Sequence, residues 1–425
     1  MATQSTATQP SNITAYSWYA LGLLTLIYVL NFLDRTLIFI LFTPIKQEMH
    51  FSDFQLAVLG PAAFAVFYTV LGIPFGRMAD RKTRKYLIAG GLAVWCVFSG
   101  LTGFANSFWT MFACRVMVGV GEATLGPAAL SLLSDFFPPR MRATVQAIYS
   151  SGIAIGGGLA YFLGGWIGQH PNLGWRWAFY LLGFPGLVLV VFVLFLREQP
   201  RGLTETGTVR YSSKDWKILF RSVPLRYLYV GYALFGLAAN NLGIWGPSFF
   251  ARVHGMSLAM IGLLAGILSV AAGVPGTVLG GYLSDRFRKM GRGGRMYFTA
   301  CAALISTVLW LVLLFSNNAP LLLIANFILL GLALMWLGPA AADVHDVAGP
   351  QLRGLGIGVY FFTVIIVAYG IGSPIIGKLN DVLGVTANPG RMRYSLLVCP
   401  LACAVGALML WRGSRAMKAE GEVNP

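Results

Sequence analysis

Twelve apolar stretches, each close to the roughly 20 residues that a helix needs to cross a bilayer, fill this 425-residue chain. They run approximately over 18–43, 54–76, 86–105, 108–135, 143–168, 175–196, 227–250, 257–283, 295–316, 319–346, 353–378 and 392–412. Runs this long and this many exceed what a buried soluble core uses. The pattern predicts an all-α, polytopic membrane protein. Hydrophobic residues make up 57% of the chain and charged residues 11%, whereas a soluble chain carries about 25% charged residues. The 51 glycines agree, because small residues let membrane helices approach closely.

Two stretches carry ionised residues inside apolar sequence: Asn31-Phe32-Leu33-Asp34-Arg35 in the first and Arg115 to Glu122 in the fourth. A charge at the bilayer centre costs at least about 2.5–3.5 kcal/mol. Two acids and two arginines can neutralise one another, and such a cluster marks a substrate or ion pathway.

Basic residues are distributed by side. The loops after stretches 2, 4, 6, 8 and 10, with the C-terminal tail, hold 23 of the 31 Lys and Arg. The opposite set holds six: Lys46, Arg176, Arg252, Lys378, Arg391 and Arg393. The positive-inside rule then puts both termini in the cytoplasm. The net charge of +16 is a topology signal with anionic lipid as its neighbour, not a nucleic-acid surface. The first stretch is expected to act as an uncleaved signal anchor. The five cysteines all lie in apolar runs without a C-x-x-C pair and read as packing residues.

The chain repeats itself. Gly76 to Arg81 recurs as Gly281 to Arg286, and Gly126-Pro127-Ala-Ala as Gly338-Pro339-Ala-Ala. Asp135 matches Asp346, Pro139 to Arg142 matches Pro350 to Arg353, and Asn31 matches Asn240. Five correspondences in one order imply a duplicated six-helix unit. Parallel repeats around a midplane site are a transporter architecture. The expected organisation is an N-terminal tail (1–17), a six-helix bundle (18–196), a cytoplasmic linker (197–226), a second bundle (227–412) and a C-terminal tail (413–425). Lys214 to Phe220 is expected as either a short surface helix or plain linker.

Gly76-Arg-Met-Ala-Asp80-Arg81-Lys-Thr-Arg84-Lys85 resembles the loop signature of the major facilitator superfamily, departing at Thr83, where glycine is usual. Arg115-x-x-x-Gly119-x-Gly121 resembles that superfamily's fourth-span motif, and Gly152 to Gly158 its glycine-rich fifth span. Asn31 to Arg35, Arg115 to Glu122, Gly126-Pro127 and Asp135-Phe-Phe-Pro-Pro-Arg-Met-Arg-Ala together resemble the Spinster family, and a bacterial member in the short tails. The resemblance implies two pseudo-two-fold-related bundles, a lipid-like substrate such as a sphingolipid or lysophospholipid, and a place in a bacterial inner membrane. It also implies that spans 1 and 4 line a central cavity. Asp80, Arg81, Arg84 and Asp135, repeated as Asp285, Arg286 and Asp346, then form gating charge networks.

Asp34 and Arg35 are adjacent and point about 100° apart, while Arg115 and Glu122 lie two turns apart on one face. Asp34 can pair with Arg115, leaving Arg35 and Glu122 as a second couple or as substrate contacts. Asp34, Arg115 and Glu122 are the proton-coupling candidates. Protonating Asp34 would release Arg115 to an anionic head group. The alternative is a permanent ion pair that pins two spans together. Tyr28, Asn31, Tyr68, Tyr149, Asn240, Trp245 and Tyr360 are candidate cavity residues. The second half shows no ionised residue at mid-membrane depth, so an apolar wall should face the charged one, which suits an amphiphile. No zinc helix, paired-Asp site or nucleophile–base pair is visible, so neither an enzyme nor a cofactor or metal is expected. A channel is disfavoured by the duplicated halves, and a drug or organic-anion porter is the runner-up. A monomer is expected to suffice.

Overall fold

A computed structural model describes residues 14–138, 141–198, 219 and 221–423. The segment 214–220 lies outside them apart from Leu219. Among the described residues every regular element is helical. The first half comprises α1 (Ala15–Ile40), α2 (Phe42–Met49), α3 (Asp53–Ala57), a π-helical turn (Val58–Ala62), α4 (Ala63–Arg81), α5 (Arg84–Thr102), α6 (Phe108–Glu122), α7 (Leu125–Phe136), α8 (Arg142–Gln169), α9 (Gly174–Gly183) and α10 (Leu187–Leu194). The second comprises α11 (Val223–His254), α12 (Leu258–Arg288), α13 (Gly294–Phe315), α14 (Ala319–Met335), α15 (Leu337–Ile365), a π-helical segment (Ile366–Gly372), α16 (Ser373–Val382), α17 (Met392–Ser395) and α18 (Val398–Val423).

Eleven helical runs among the described residues are long and apolar enough to cross a membrane. The 32-residue α11 is not among them. Asn240, Asn241 and Ser248 dilute its apolar character, and their cost is met inside the protein. Asn241 donates to the carbonyls of Leu237 and Ala368, at 2.8 and 3.2 Å. Asn240 donates to the Gly236 carbonyl. Buried polar groups persist where such partners exist.

Local sequence sets where helices begin. Side chains of Thr14, Ser52, Ser107, Ser222, Ser257 and Asn318 each accept a backbone N–H from the first turn of the helix that follows, relieving donors that a helix start leaves free. Pro61 sits inside the first π-helical turn. A helix-interior proline lacks the N–H that continues the ladder, and a wider turn accommodates it.

Within the halves α1 packs on α8, α5 on α6, α11 on α18 and α12 on α14. Between the halves α8 packs on α12, α3 on α16 and α1 on α11, and the two π-helical segments touch each other. The α8 glycines serve two interfaces. Gly152 and Gly156 face the Tyr28–Phe32 turn of α1, and a side chain at Gly156 would meet the Val29 carbonyl. Gly158 faces Gly266 and Gly165 faces Gly262 across the two halves, whereas a side chain at Gly157 would meet only the Thr36 hydroxyl, at 3.9 Å. This antiparallel contact places Arg142 and Arg288 at the same end of the molecule. The first and last described segments lie there too, since the Arg197 N–H donates to the Tyr16 hydroxyl and Gly293 abuts Ser414.

Candidate functional site

The charged residues of α1 and α6 meet in the interior of the first half. Asp34 is 2% exposed and accepts a hydrogen bond from the Ser99 hydroxyl of α5 at 2.9 Å. Arg35, about 100° round the helix, points elsewhere. Its Nη2 donates to Glu122 Oε2 at 2.9 Å and its Nε to the same oxygen at 3.3 Å. Nη2 also reaches Asn31 Oδ1, one turn earlier, at 3.2 Å. The guanidinium carbon lies 4.6, 4.2 and 5.0 Å from the ring centres of Phe32, Phe64 and Tyr68. Aromatic faces attract a cation held this way.

Arg115 does not pair with Asp34 as the sequence suggested. It is fully buried, and its three guanidinium nitrogens have no hydrogen-bond partner among the described residues. The carboxylates whose charges reach it are those of Glu122 and Asp34. The reason for the difference is local: the Ser99 hydroxyl, invisible as a partner from sequence spacing, takes up an Asp34 oxygen. Arg35, braced by Asn31, is the guanidinium that engages Glu122. Of the two couples expected together, Arg35–Glu122 forms and Asp34–Arg115 does not.

The candidate aromatic and amide residues divide. Tyr28 and Tyr149 stack at 4.2 Å beside the cluster, and Tyr68 covers Arg35. Asn240 faces the cluster from the second half, accepting from the Tyr369 hydroxyl at 2.6 Å. Tyr369 lies near enough to Arg35 for their charges to interact, and it belongs to the second π-helical segment. Nothing in its spacing distinguished it from other tyrosines in apolar runs. Trp245 and Tyr360 pack away from the Asp34–Glu122 cluster, among side chains of the second half and Phe42. Trp245 is fully buried, donates to Ser373 at 3.1 Å and packs on Phe42. Tyr360 is 1% exposed among Tyr232, Trp336 and Phe361.

Ion networks stand at the terminus-bearing end. Arg84 is buried between Asp135, which it contacts closely, and Glu198 at 2.8 Å, and it also donates to Ser131. Arg81 is exposed at the end of α4, and the Asp80 side chain lies outside the described residues. In the second half Arg295 bridges Asp285 at 2.8 Å and Asp346 at 3.0 Å, while Arg288 holds Asp346 at 3.1 Å. Arg286, expected in this role, is exposed. It lies about 100° round α12 from Asp285, whereas Arg288, three residues on from Asp285, shares that face.

The opposite end carries a cluster that sequence reasoning missed. Asp53 is fully buried and binds Lys46 at 2.7 Å and Arg252 at 2.8 Å. Asp381 accepts the backbone N–H groups of Asp53 and Phe54, at 2.8 and 2.9 Å. These are first-turn amides of α3, where a carboxylate is favoured. Lys46 and Asp53 belong to one half, Arg252 and Asp381 to the other, so the cluster joins the halves at this end.

A match to the Major Facilitator Superfamily covers residues 24–367. The chain belongs to the Major Facilitator Superfamily. Among its relatives, an MFS-type efflux pump of Mycolicibacterium smegmatis is 27% identical over 94% of this chain and 92% of that protein. Protein spinster homolog 1 of Rattus norvegicus is 28% identical over 89% of this chain and 77% of that protein. Two solved structures of a bacterial homologue of the human lysosomal transporter Spinster share the fold. The inward-facing, unoccupied one has a TM-score of 0.86 at 24% identity, covering 96% of this chain and 98% of that one. The inward-facing, occupied one has 0.83 at 25%, covering 95% and 98%.

This superfamily member is thus a multi-pass integral membrane transporter and not an enzyme, and it is similar to proteins of the Spinster type. Among the described residues no group of His, Cys, Asp and Glu is arranged to hold a metal. The chemistry available at the site is proton exchange at two buried carboxyls and anion binding at two guanidinium groups.

Proposed function

We propose that the chain is a proton-coupled transporter that carries an amphiphilic, anionic, lipid-like substrate by alternating access. One observation carries the reading: Arg115 is a buried guanidinium whose three nitrogens have no hydrogen-bond partner among the described residues, within electrostatic reach of two carboxyls. A buried cation without hydrogen-bond partners is costly, and an anionic head group that enters would supply them. Asp34 and Glu122 are the proton-coupling residues. Ionised, they balance the two arginines. When Asp34 takes a proton, one positive charge is left for the substrate. Arg35, Asn31, Tyr68 and Tyr149 hold and shape the head-group side, and Asn240 with Tyr369 closes it from the second half.

An apolar pocket next to this wall suits the hydrophobic part. It lies between α8, α11, α12 and α14, lined by Tyr161, Gly243, Pro247, Phe250, Leu264 and Leu330. Tyr161 donates to the Gly243 carbonyl at 2.9 Å and lies within electrostatic reach of Tyr369. The path from Arg35 through Tyr369 to Tyr161 therefore links charge to apolar surface. Both bundles (18–196 and 227–412) move as units in this reading, a monomer suffices, and both termini face the cytoplasm. The Lys46–Asp53–Arg252 cluster then closes the outer side in an inward-facing state. The name of the mycolicibacterial relative favours a second reading, export of a lipophilic drug or organic anion.

The test is transport by Asp34→Asn in proteoliposomes, with lysolipids and lipophilic anions as substrates. Asparagine keeps the shape of the protonated acid and cannot titrate. The variant should bind and exchange substrate but ignore an imposed pH gradient. A wild-type response to the gradient would remove Asp34 from coupling and leave Glu122 as the candidate. Transport of the anions but no lysolipid would select the second reading.

A further inference from the structure

The second half is not free of buried acids. Asp343, in α15, is 1% exposed and has no ion-pair partner among the described residues. Its Oδ2 accepts the Tyr232 hydroxyl of α11 at 2.8 Å, and its Oδ1 has no partner among the described residues. The Tyr232 hydroxyl is 3.3 Å from the Thr299 hydroxyl of α13, which in turn donates to the Arg295 carbonyl at 3.2 Å. The rings of Trp336 and Tyr360 enclose Tyr232, at 6.1 and 6.0 Å, and the Tyr360 hydroxyl is itself buried and unpartnered. Below this pocket stand the charged groups of the terminus-bearing end: Arg288 of α12, Arg295 of α13, Asp285 of α12 and Asp346 of α15. Arg295, Arg288 and Asp346 are the ones whose charges reach Asp343. Asp346 is three residues from Asp343 and shares its helix face.

An ionised carboxylate in this pocket would hold one hydrogen bond, one orphaned oxygen and no counter-ion, which is an unfavourable state for a buried charge. A neutral carboxyl fits the geometry. Arg295, one of the two arginines whose charges reach Asp343, is now engaged with Asp285 and Asp346. Buried ionisable residues within membrane helices mark proton or ion pathways. The repeat gives no counterpart, since the equivalent position in the first half, 211 residues earlier by the Asp135–Asp346 offset, is Leu132.

We propose that Asp343 is a second proton-binding site, separate from the Asp34 cluster, which sets the ion network of the second half at the terminus-bearing end. With its proton, the carboxyl rests on Tyr232 and leaves Arg295 on Asp285 and Asp346. When the proton leaves to water at that end, the carboxylate draws Arg295 inward and releases Asp285. The inference rests on the transporter reading, but its test does not depend on Asp34.

Infrared difference spectra across an acid-to-alkaline titration read the protonated carboxyl directly. They would be recorded for the full chain in nanodiscs, in the wild type, Asp34→Asn, Asp343→Asn and Tyr232→Phe. The titrating carboxyl signal should persist in Asp34→Asn in part, lose a distinct component in Asp343→Asn, and shift in frequency in Tyr232→Phe, which removes the one donor. Spin labels at Arg81→Cys and Arg286→Cys, both exposed positions, report the distance between the halves at this end in a chain cleared of native cysteines. The pH response that remains in Asp34→Asn should vanish when Asp343→Asn is added. An unchanged titrating signal in both Asp343→Asn and Tyr232→Phe would overturn the proposal. So would a distance change driven by sodium at fixed pH and lost in Asp343→Asn, which would make the site a metal-cation site. If Asp343→Asn does not fold, the frequency shift in Tyr232→Phe decides alone.

Discussion

The two halves carry the same motif at the terminus-bearing end, yet the networks they build differ in solvent. In the first half Arg84 is fully buried and Asp135 is 5% exposed, with Glu198, 25% exposed, as the second partner. In the second, Arg295 is 17% exposed and its partners Asp285 and Asp346 are 68% and 30% exposed. A duplicated sequence therefore does not duplicate the energetics. Removing one partner of a buried pair leaves an uncompensated charge, whereas exposed pairs lose little because water replaces the partner. The first network is a rigid fastening, and the second is free to exchange partners.

The largest effect that would break this comparison is expected from Arg84→Ala. It leaves Asp135, 5% exposed, and Glu198, 25% exposed, without the guanidinium that both of them contact. The loss should be about 3–5 kcal/mol, read by thermal unfolding in detergent. Substrate affinity should change little, because Arg84 lies at the end of the helices and not beside Arg115. A stability loss no larger than that of a surface pair would mean that water reaches this site.

A smaller effect is expected at the opposite end, where the comparison turns from half against half to the seam between them. Arg252→Ala removes one of two cations from buried Asp53 and leaves Lys46 in place. A hydrogen bond to a charged group is worth roughly 1.5–3 kcal/mol. Here the loss should appear as easier separation of the halves at that end, measured by label distances between α3 and α16. Unchanged distances alongside a lowered melting temperature would assign the cluster to folding alone.

Much of the architecture was legible because membrane spans announce themselves by length and composition, and the repeat by its ordered motifs. The site was legible in its members and not in its pairings. Asp34, Arg35, Arg115 and Glu122 stand out because charge is rare in apolar runs. Whether Arg115 or Ser99 meets Asp34 depends on how α5 and α6 rotate, which spacing within one helix does not encode. Arg288 and Arg295 were hidden for a similar reason: in a loop dense with basic residues, the fold selects which of them face Asp346. Asp53 and Asp381 looked like ordinary charges at span ends, because their partnership crosses more than 300 residues of chain. Asp343 was passed over beside Asp346, one turn from the interface, although its burial gives it a different chemistry.

The smallest effect sharpens the comparison most. Arg295→Ala removes the bridge between Asp285 and Asp346, but Arg288 still holds Asp346 and solvent reaches Asp285. The expected loss is below about 1 kcal/mol, near the resolution of a melting curve, so salt provides the contrast. Exposed pairs weaken within a Debye length of about 8–10 Å at ordinary ionic strength, and buried ones are screened much less. The gap in melting temperature between wild type and Arg295→Ala should therefore close as salt rises, while the gap for Arg84→Ala should stay open. If both gaps close together, the two networks share one solvent environment, and the difference in burial between the halves has no energetic consequence.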